Sequence, residues 1–259
     1  MDDSKFYNTK SVRAMLVTWN VGGFKPPTYK EVASIFSNIS QDKPELIIVG
    51  LQEIFEMKSK NIGRILNISA TDSRTTRWRF LITQCLNAHS FYNLVWEDDL
   101  CGIQVLVFAA SKVVDHLKNI TSSKTKMGIM GMANKGAITV FLTIYETPMK
   151  FAVCHLNAGC SESDSVSRVT QINELLLGDL SKDVRVSFDS RPLVTGSYSE
   201  ISTSDSTLTT KVSTSCSRSF VSRTTWQTAR SESVSCCKTI SSTSSFEVTS
   251  CSWASPKQT

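Results

Sequence analysis

The sequence lacks any hydrophobic run long enough to cross a membrane as a helix. Its longest apolar segments, such as Ile103 to Ala110, are much shorter than the roughly 20 residues of a membrane span. The opening residues contain no apolar core of a secretion signal. The eight cysteines include no CxxC pair and no spacing typical of zinc sites. We therefore expect reduced thiols and a cytoplasmic protein.

Strong charge is also missing, since the 259 residues have a net charge of only +5. Histidine is scarce too, with three residues. This mild positive charge suits an anionic ligand or a membrane surface, but many ordinary enzymes have it. With 41% hydrophobic residues, part of the chain can bury a core.

The composition changes sharply near residue 196. Before this point, segments typical of strands and helices alternate; from Ser197 onward Ser and Thr dominate and periodicity is lost. Such a segment buries too little apolar surface to offset its chain entropy, so we expect it to be disordered. The predicted organisation is an N-terminal extension over residues 1–14, a folded unit over 15–196 and a tail over 197–259.

Hydrophobic periodicity predicts the elements of the folded unit. Helical spacing or polar helical composition indicates helices over 29–40, 75–88 and 161–176, and apolar runs indicate strands over 15–19, 45–51, 92–96, 103–110, 138–145 and 150–154. The last two read as an antiparallel pair joined at residues 146–148. This mixture predicts an α/β fold in which two sheets pack together.

A glycine-bearing loop, KMGIMGMANKGA, runs from Lys126 to Ala137 directly ahead of an apolar strand. Its glycines allow close backbone approach, and Asn134 and Lys135 add a polar donor and a cation. These properties suit a phosphate cradle at the rim of a sheet, although a lone stretch of this kind is more often a plain hairpin loop.

Three polar side chains stand where predicted strands end: Asn20, Glu53 and His155. Ligands of open α/β folds bind at this rim, and Mg²⁺ is usually held by one or two carboxylates with phosphate and water. Each residue also has an ordinary interpretation, as a turn residue, a solvated strand end or a structural histidine. Together they indicate a metal-assisted hydrolase.

Four segments carry a resemblance to a known family: WNVGG, LQEIFEM, KMGIMGMANKGAITV and FAVCHLNAG, which begin at residues 19, 51, 126 and 151. In order and spacing they resemble the inositol polyphosphate 5-phosphatases, including synaptojanin-like catalytic domains. The WN and QE pairs are shared with related nucleases and sphingomyelinases, whereas the loop ending in NKGA and the HLNAG segment are more specific. The resemblance covers roughly residues 15–159.

The resemblance implies a deoxyribonuclease-I-like sandwich of two mixed sheets flanked by helices, incomplete at its C-terminal end. It implies that Asn20 and Glu53 help to hold Mg²⁺, that Asn134 and Lys135 bind phosphate on the inositol ring, and that catalytic His155 stabilises the scissile 5-phosphate. The implied ligands are inositol polyphosphates or phosphoinositide headgroups at a peripheral membrane surface, with no nucleic acid.

The chain departs from the family after residue 159, because no GDLNFR-like motif follows in this reading frame. Gly178-Asp179-Leu180 is a near miss that continues differently. Read one frame over, codons compatible with Tyr198 to Ser206 permit FGDLNFR, so we hypothesise an out-of-frame tail; a genuine Ser/Thr-rich tail is the alternative. We expect the chain as written to be inactive and poorly folded, with open strand edges.

Two other functions stay open from the sequence. One is a nuclease or sphingomyelinase of the same superfamily, which plasmid nicking would reveal. The other is a non-catalytic domain that binds phosphoinositides or a partner.

Overall fold

The computed structural model describes residues 7–24, 26, 28–55, 73–128, 135–178, 195–197, 211–213, 224–229 and 239–251. The helices are α1 (Tyr29–Ile35), α2 (Ile39–Asp42), α3 (Ser73–Asn87), α4 (Ser111–Val114) and α5 (Glu162–Gly178). The strands are β1 (Tyr7–Asn20), β2 (Leu46–Gln52), β3 (Tyr92–Leu100), β4 (Ile103–Ala110), β5 (Leu117–Lys126), β6 (Gly136–Ile144), β7 (Thr147–His155), β8 (Thr195–Ser197), β9 (Lys211–Ser213), β10 (Thr224–Ala229) and β11 (Thr239–Cys251). None of the described helices is both long and apolar enough to span a membrane.

Two sheets face each other, as the sequence predicts. The larger has six strands in the order β10-β11-β1-β2-β4-β3, and only its β1–β2 pair is parallel. The smaller is antiparallel, in the order β5-β6-β7. Helices α1 and α3 cover the outer face of the larger sheet. The predicted class, an α/β sandwich flanked by helices, is confirmed.

The continuous apolar sequence of β2 follows from its position between two cores. All seven of its residues are buried. Ile47, Val49 and Leu51 pack into the cluster beneath the helices, whereas Leu46 and Ile48 pack into the cluster between the sheets. Side chains of a strand alternate between its faces, so a strand covered on both sides needs apolar residues throughout.

The two sheets are in close contact where β2 and β7 cross. A Cβ atom built on Gly50 would lie 2.6 Å from Cγ1 and 2.8 Å from Cγ2 of Val153. Any side chain at position 50 would therefore push against the Val153 side chain of β7, the strand that ends at the predicted catalytic histidine.

Several predicted bounds differ from the structure. The predicted helix over 29–40 is two short helices, α1 and α2, and the first strand begins at Tyr7 rather than Met15. The hairpin turns at residues 145–146, before the predicted position. Strand β5 is absent from the prediction because its sequence, LKNITSSKTK, has few apolar residues.

The tail contains the largest difference. The sequence predicts disorder after residue 197 and open edges on strands left without late partners, but β11 pairs with β1 from Tyr7↔Cys251 to Trp19↔Thr239, and β10 pairs with β11. The prediction is wrong for these strands because backbone pairing needs no apolar run and Thr has good strand propensity. The domain boundaries and the out-of-frame origin of the tail stay predictions.

Candidate functional site

Two parallel strands and one strand of the second sheet end at the same rim. The register pairs Asn20, at the end of β1, with Gln52, at the end of β2. Glu53 follows in a left-handed conformation with φ of 55°. In the second sheet His155, the last residue of β7, pairs with Gly136, the first residue of β6. Lys135 therefore lies beside His155.

Hydrogen bonds hold Asn20 and Glu53 together. Nδ2 of Asn20 donates to Oε1 of Glu53 at 2.9 Å, and the Gly22 amide donates to Oδ1 of Asn20 at 3.0 Å. The backbone adds a bond of 2.6 Å from the Gly23 amide to the Glu53 carbonyl. The turn after β1 thus fixes the carboxylate, while the Glu53 side chain is still 39% exposed at the rim.

His155 joins the two halves of the site. Its Nε2 lies 2.8 Å from Nζ of Lys135 and 3.5 Å from Oε1 of Glu53, and its side chain is 12% exposed. Burial lowers the pKa of His155, and the Lys135 cation lowers it further against the opposing effect of Glu53. Burial also lowers the pKa of Lys135, which Glu53 partly counters. A neutral imidazole can accept the hydrogen bond from the lysine ammonium through Nε2.

The donor set fits a hard divalent cation. Glu53 offers a partly exposed carboxylate, and the amide oxygen of Asn20 has a second lone pair beyond the one that accepts from Gly22. No three His, Cys, Asp or Glu residues within the described ranges group as a metal cluster. Mg²⁺ needs only one or two protein carboxylates, with water and phosphate completing its shell.

The glycine loop is described only at its base. Asn134 lies outside the described residues, so its predicted phosphate contact stays a prediction. The Met127 amide donates to the Lys135 carbonyl at 2.8 Å and closes the loop. A Cβ on Gly136 would collide with the carbonyl oxygen of Thr125, so this position requires glycine.

Sequence reasoning missed the helical residues that brace the rim. Arg74 of α3 donates to the carbonyls of Gly23 and Ile54, each at 3.4 Å, and so links the loops after β1 and β2. Nothing in the sequence distinguishes this arginine from other charged helix residues.

In α5, Arg168 and Gln171 contact the loop after His155. Their spacing from Asp164 places all three on one helix face, which is a recognisable signal.

Comparison with known proteins identifies relatives of the folded part. Residues 17–197 match the model of the Endonuclease/Exonuclease/phosphatase family 2. Polyphosphatidylinositol phosphatase INP53 of Saccharomyces cerevisiae is 30% identical over 161 residues, which are 61% of this chain and 14% of that protein. Type IV inositol polyphosphate 5-phosphatase 9 of Arabidopsis thaliana is 24% identical over 184 residues, 63% of this chain and 43% of that protein. The chain thus spans less than half the length of these relatives.

Solved structures show the same fold. The inositol polyphosphate 5-phosphatase domain of SPsynaptojanin, in complex with inositol (1,4)-bisphosphate and a calcium ion, superposes with a TM-score of 0.62 at 16% identity, covering 96% of this chain and 88% of that one. A Cimex nitrophorin, a ferrous NO complex, superposes with a TM-score of 0.55 at 9% identity, covering 92% and 99%. Because the fold serves such different ligands, function has to be argued from the site.

Proposed function

Because the chain belongs to the Endonuclease/Exonuclease/phosphatase family 2, we propose that its rim is the phosphate- and metal-binding half of an inositol polyphosphate 5-phosphatase site. The substrates are inositol polyphosphates or phosphoinositides, and the reaction is Mg²⁺-dependent hydrolysis of the 5-phosphate. The named functions of the similar yeast and plant proteins support this substrate class.

The observation that carries the proposal is the meeting of a cation, an imidazole and a carboxylate. Nζ of Lys135 lies 2.8 Å, and Oε1 of Glu53 lies 3.5 Å, from Nε2 of His155. A phosphate ester needs positive and hydrogen-bonding groups around its oxygens, and a carboxylate beside them can hold the metal ion. When bound, Mg²⁺ would neutralise charge that develops on the phosphoryl oxygens.

The side chains have distinct proposed tasks. Lys135, with Asn134 beside it in sequence, binds phosphate on the inositol ring. The lowered pKa of His155 keeps its imidazole neutral while Lys135 is its neighbour. An arriving phosphate dianion would favour protonation of that imidazole, which could then donate to a phosphoryl oxygen. Asn20 orients Glu53 and supplies an amide oxygen to the metal.

We propose that the chain as written binds such ligands without efficient turnover. The family's GDLNFR-like motif, whose polar residues orient the attacking water, has no in-frame counterpart after residue 159. We further propose phosphoinositide headgroups at a cytoplasmic membrane surface among the ligands, since a net charge of +5 favours approach to anionic surfaces.

Calorimetric titration of the 259-residue chain with inositol 1,4,5-trisphosphate and Mg²⁺ tests this function. We expect binding that weakens about tenfold in Lys135→Met, because one charge-assisted phosphate contact is lost. The matched control is Lys112→Met, which removes a lysine paired with Glu45 at the opposite end of β2. Absence of binding by the unaltered chain would overturn the proposed site.

Phosphate release measured in the same samples tests turnover. We expect little or none above the background. Release that stops on addition of EDTA would support the family activity and overturn the proposed inactivity, whereas nicking of plasmid DNA without phosphate release would favour the nuclease alternative.

A further inference from the structure

Helix α5 contacts both loops of the candidate site through one buried residue, Gln171. The residue is 6% exposed. Oε1 accepts a hydrogen bond from the Asn157 amide at 2.9 Å, and Nε2 donates to the Met127 carbonyl at 3.5 Å. Because one contact needs an acceptor and the other a donor, only one orientation of the amide satisfies both.

The two bonded residues belong to the two loops that carry the site. Asn157 comes two residues after His155, and Met127 donates its own amide to the carbonyl of Lys135. The β6–β7 register already joins Gly136 to His155 on one side. Gln171 adds a second link between the same two loops, so two separate connections constrain the distance between Lys135 and His155.

Other residues of the same helix face hold the loop after His155. Arg168 donates to the carbonyls of Asn157 at 3.3 Å and Gly159 at 2.8 Å, and the Asn157 side chain donates to Oγ of Ser167 at 2.9 Å. A Cβ on Gly159 would collide with the carboxylate of Asp164. The loop therefore lies directly against the helix, and Gln171 extends this contact to the second loop.

We propose that Gln171 is a positioning residue that couples the loop after His155 to the loop bearing Lys135. Its side chain bonds to the Asn157 amide and the Met127 carbonyl, and it acts by keeping the imidazole and the ammonium in register for a phosphate ligand. The coupling itself follows from the hydrogen bonds, and only its consequence for phosphate binding rests on the proposed function.

Amide hydrogen exchange of the full chain tests the coupling independently of activity. In Gln171→Leu, which retains bulk without polar atoms, we expect the Asn157 amide to exchange at least about fivefold faster because it loses its acceptor. The Met127 amide should accelerate similarly, because loss of the bond to the Met127 carbonyl loosens the loop that its own bond to the Lys135 carbonyl closes. Amides of β6 should keep their rates. Gln171→Glu keeps the acceptor and loses the donor, so the Asn157 amide should stay protected and only the Met127 amide should accelerate. Thr170→Ala is the control, because among the described residues its exposed hydroxyl bonds only to the Val166 carbonyl of its own helix.

Two results would overturn the proposal. One is unchanged exchange at the Asn157 and Met127 amides in Gln171→Leu. The other is an equal acceleration at these amides and in β6, which would show that the glutamine merely contributes to global stability.

Titration with inositol 1,4,5-trisphosphate and Mg²⁺ measures the consequence for the ligand. We expect at least about fivefold weaker binding by Gln171→Leu and unchanged binding by Thr170→Ala. Equal affinities would refute the positioning role. If the unaltered chain does not bind this probe, the proposed function fails, and the exchange measurement still decides whether the coupling exists.

Discussion

At the scale of single residues, the site depends on opposing effects on one imidazole. Desolvation and the adjacent Lys135 both disfavour the protonated form of His155, whereas Glu53 favours it. The balance lowers the pKa of the imidazole. A bound phosphate adds negative charge and would oppose this lowering, so the protonation state of His155 depends on which charged neighbours are present.

Replacing Lys135 with Met should raise the pKa of His155 towards its ordinary value of about 6.5. The cation opposes proton uptake, and its removal leaves desolvation opposed by Glu53 alone. The titration of the imidazole resonances by NMR measures the change. Lys112→Met is the control, because Lys112 pairs with Glu45 instead. An unchanged or lower pKa in Lys135→Met would contradict the short contact between the two side chains.

At the scale of secondary structure, the close approach of β2 and β7 positions the site. At position 50 only glycine leaves space for the Val153 side chain, because it has no Cβ atom. Two residues after Val153, β7 reaches His155, and β2 ends two residues beyond Gly50. Packing at one point therefore controls how far the imidazole of one sheet lies from the carboxylate of the other.

Gly50→Ala should lower the free energy of unfolding by about 1–3 kcal/mol, because the added methyl group overpacks the space between the sheets. Adding Val153→Ala should recover part of this loss, since it removes the methyl groups that the new Cβ meets. Urea denaturation of the two single variants and the double variant measures the coupling.

Gly136→Ala is the matched control, because the obstructing atom there is the backbone oxygen of Thr125, which no side-chain truncation removes. Additive effects of Gly50→Ala and Val153→Ala would show that the sheets do not meet as described.

At the scale of the whole molecule, a strand from the tail completes the larger sheet. Strand β11 pairs with β1 over thirteen positions, from Tyr7↔Cys251 to Trp19↔Thr239. Without it, β1 would present a long row of unpaired backbone groups beside β2. Such edges promote association with other chains.

Removal of residues 198–259 should therefore cause self-association, whereas removal of residues 252–259 alone should not. Size-exclusion chromatography with light scattering distinguishes the outcomes, since the shorter truncation keeps β11 and the longer one exposes β1. A monomeric, equally stable protein after the longer truncation would show that the β1–β11 pairing contributes nothing to the fold.

The sequence by itself determined the elements whose signal is local. The apolar run of β4 has the same bounds in prediction and structure, and the run that includes β2 correctly indicated burial on both faces. Strand direction places polar residues that follow strands at the sheet rim, and the structure brings Asn20, Glu53 and His155 together there. Their roles stay predictions. The family followed from four short segments and agrees with the match over residues 17–197.

Only the tertiary structure decided which distant residues meet. Strand β5 is polar, and backbone hydrogen bonds to β6 place it in its sheet. Strand β11 is likewise placed by backbone pairing with β1 and not by a hydrophobic pattern. The contact between Lys135 and His155, and the Gln171 bonds to both loops, join residues far apart in sequence. Backbone pairing and single side-chain hydrogen bonds leave no periodic trace in a sequence, so these features required the packed chain.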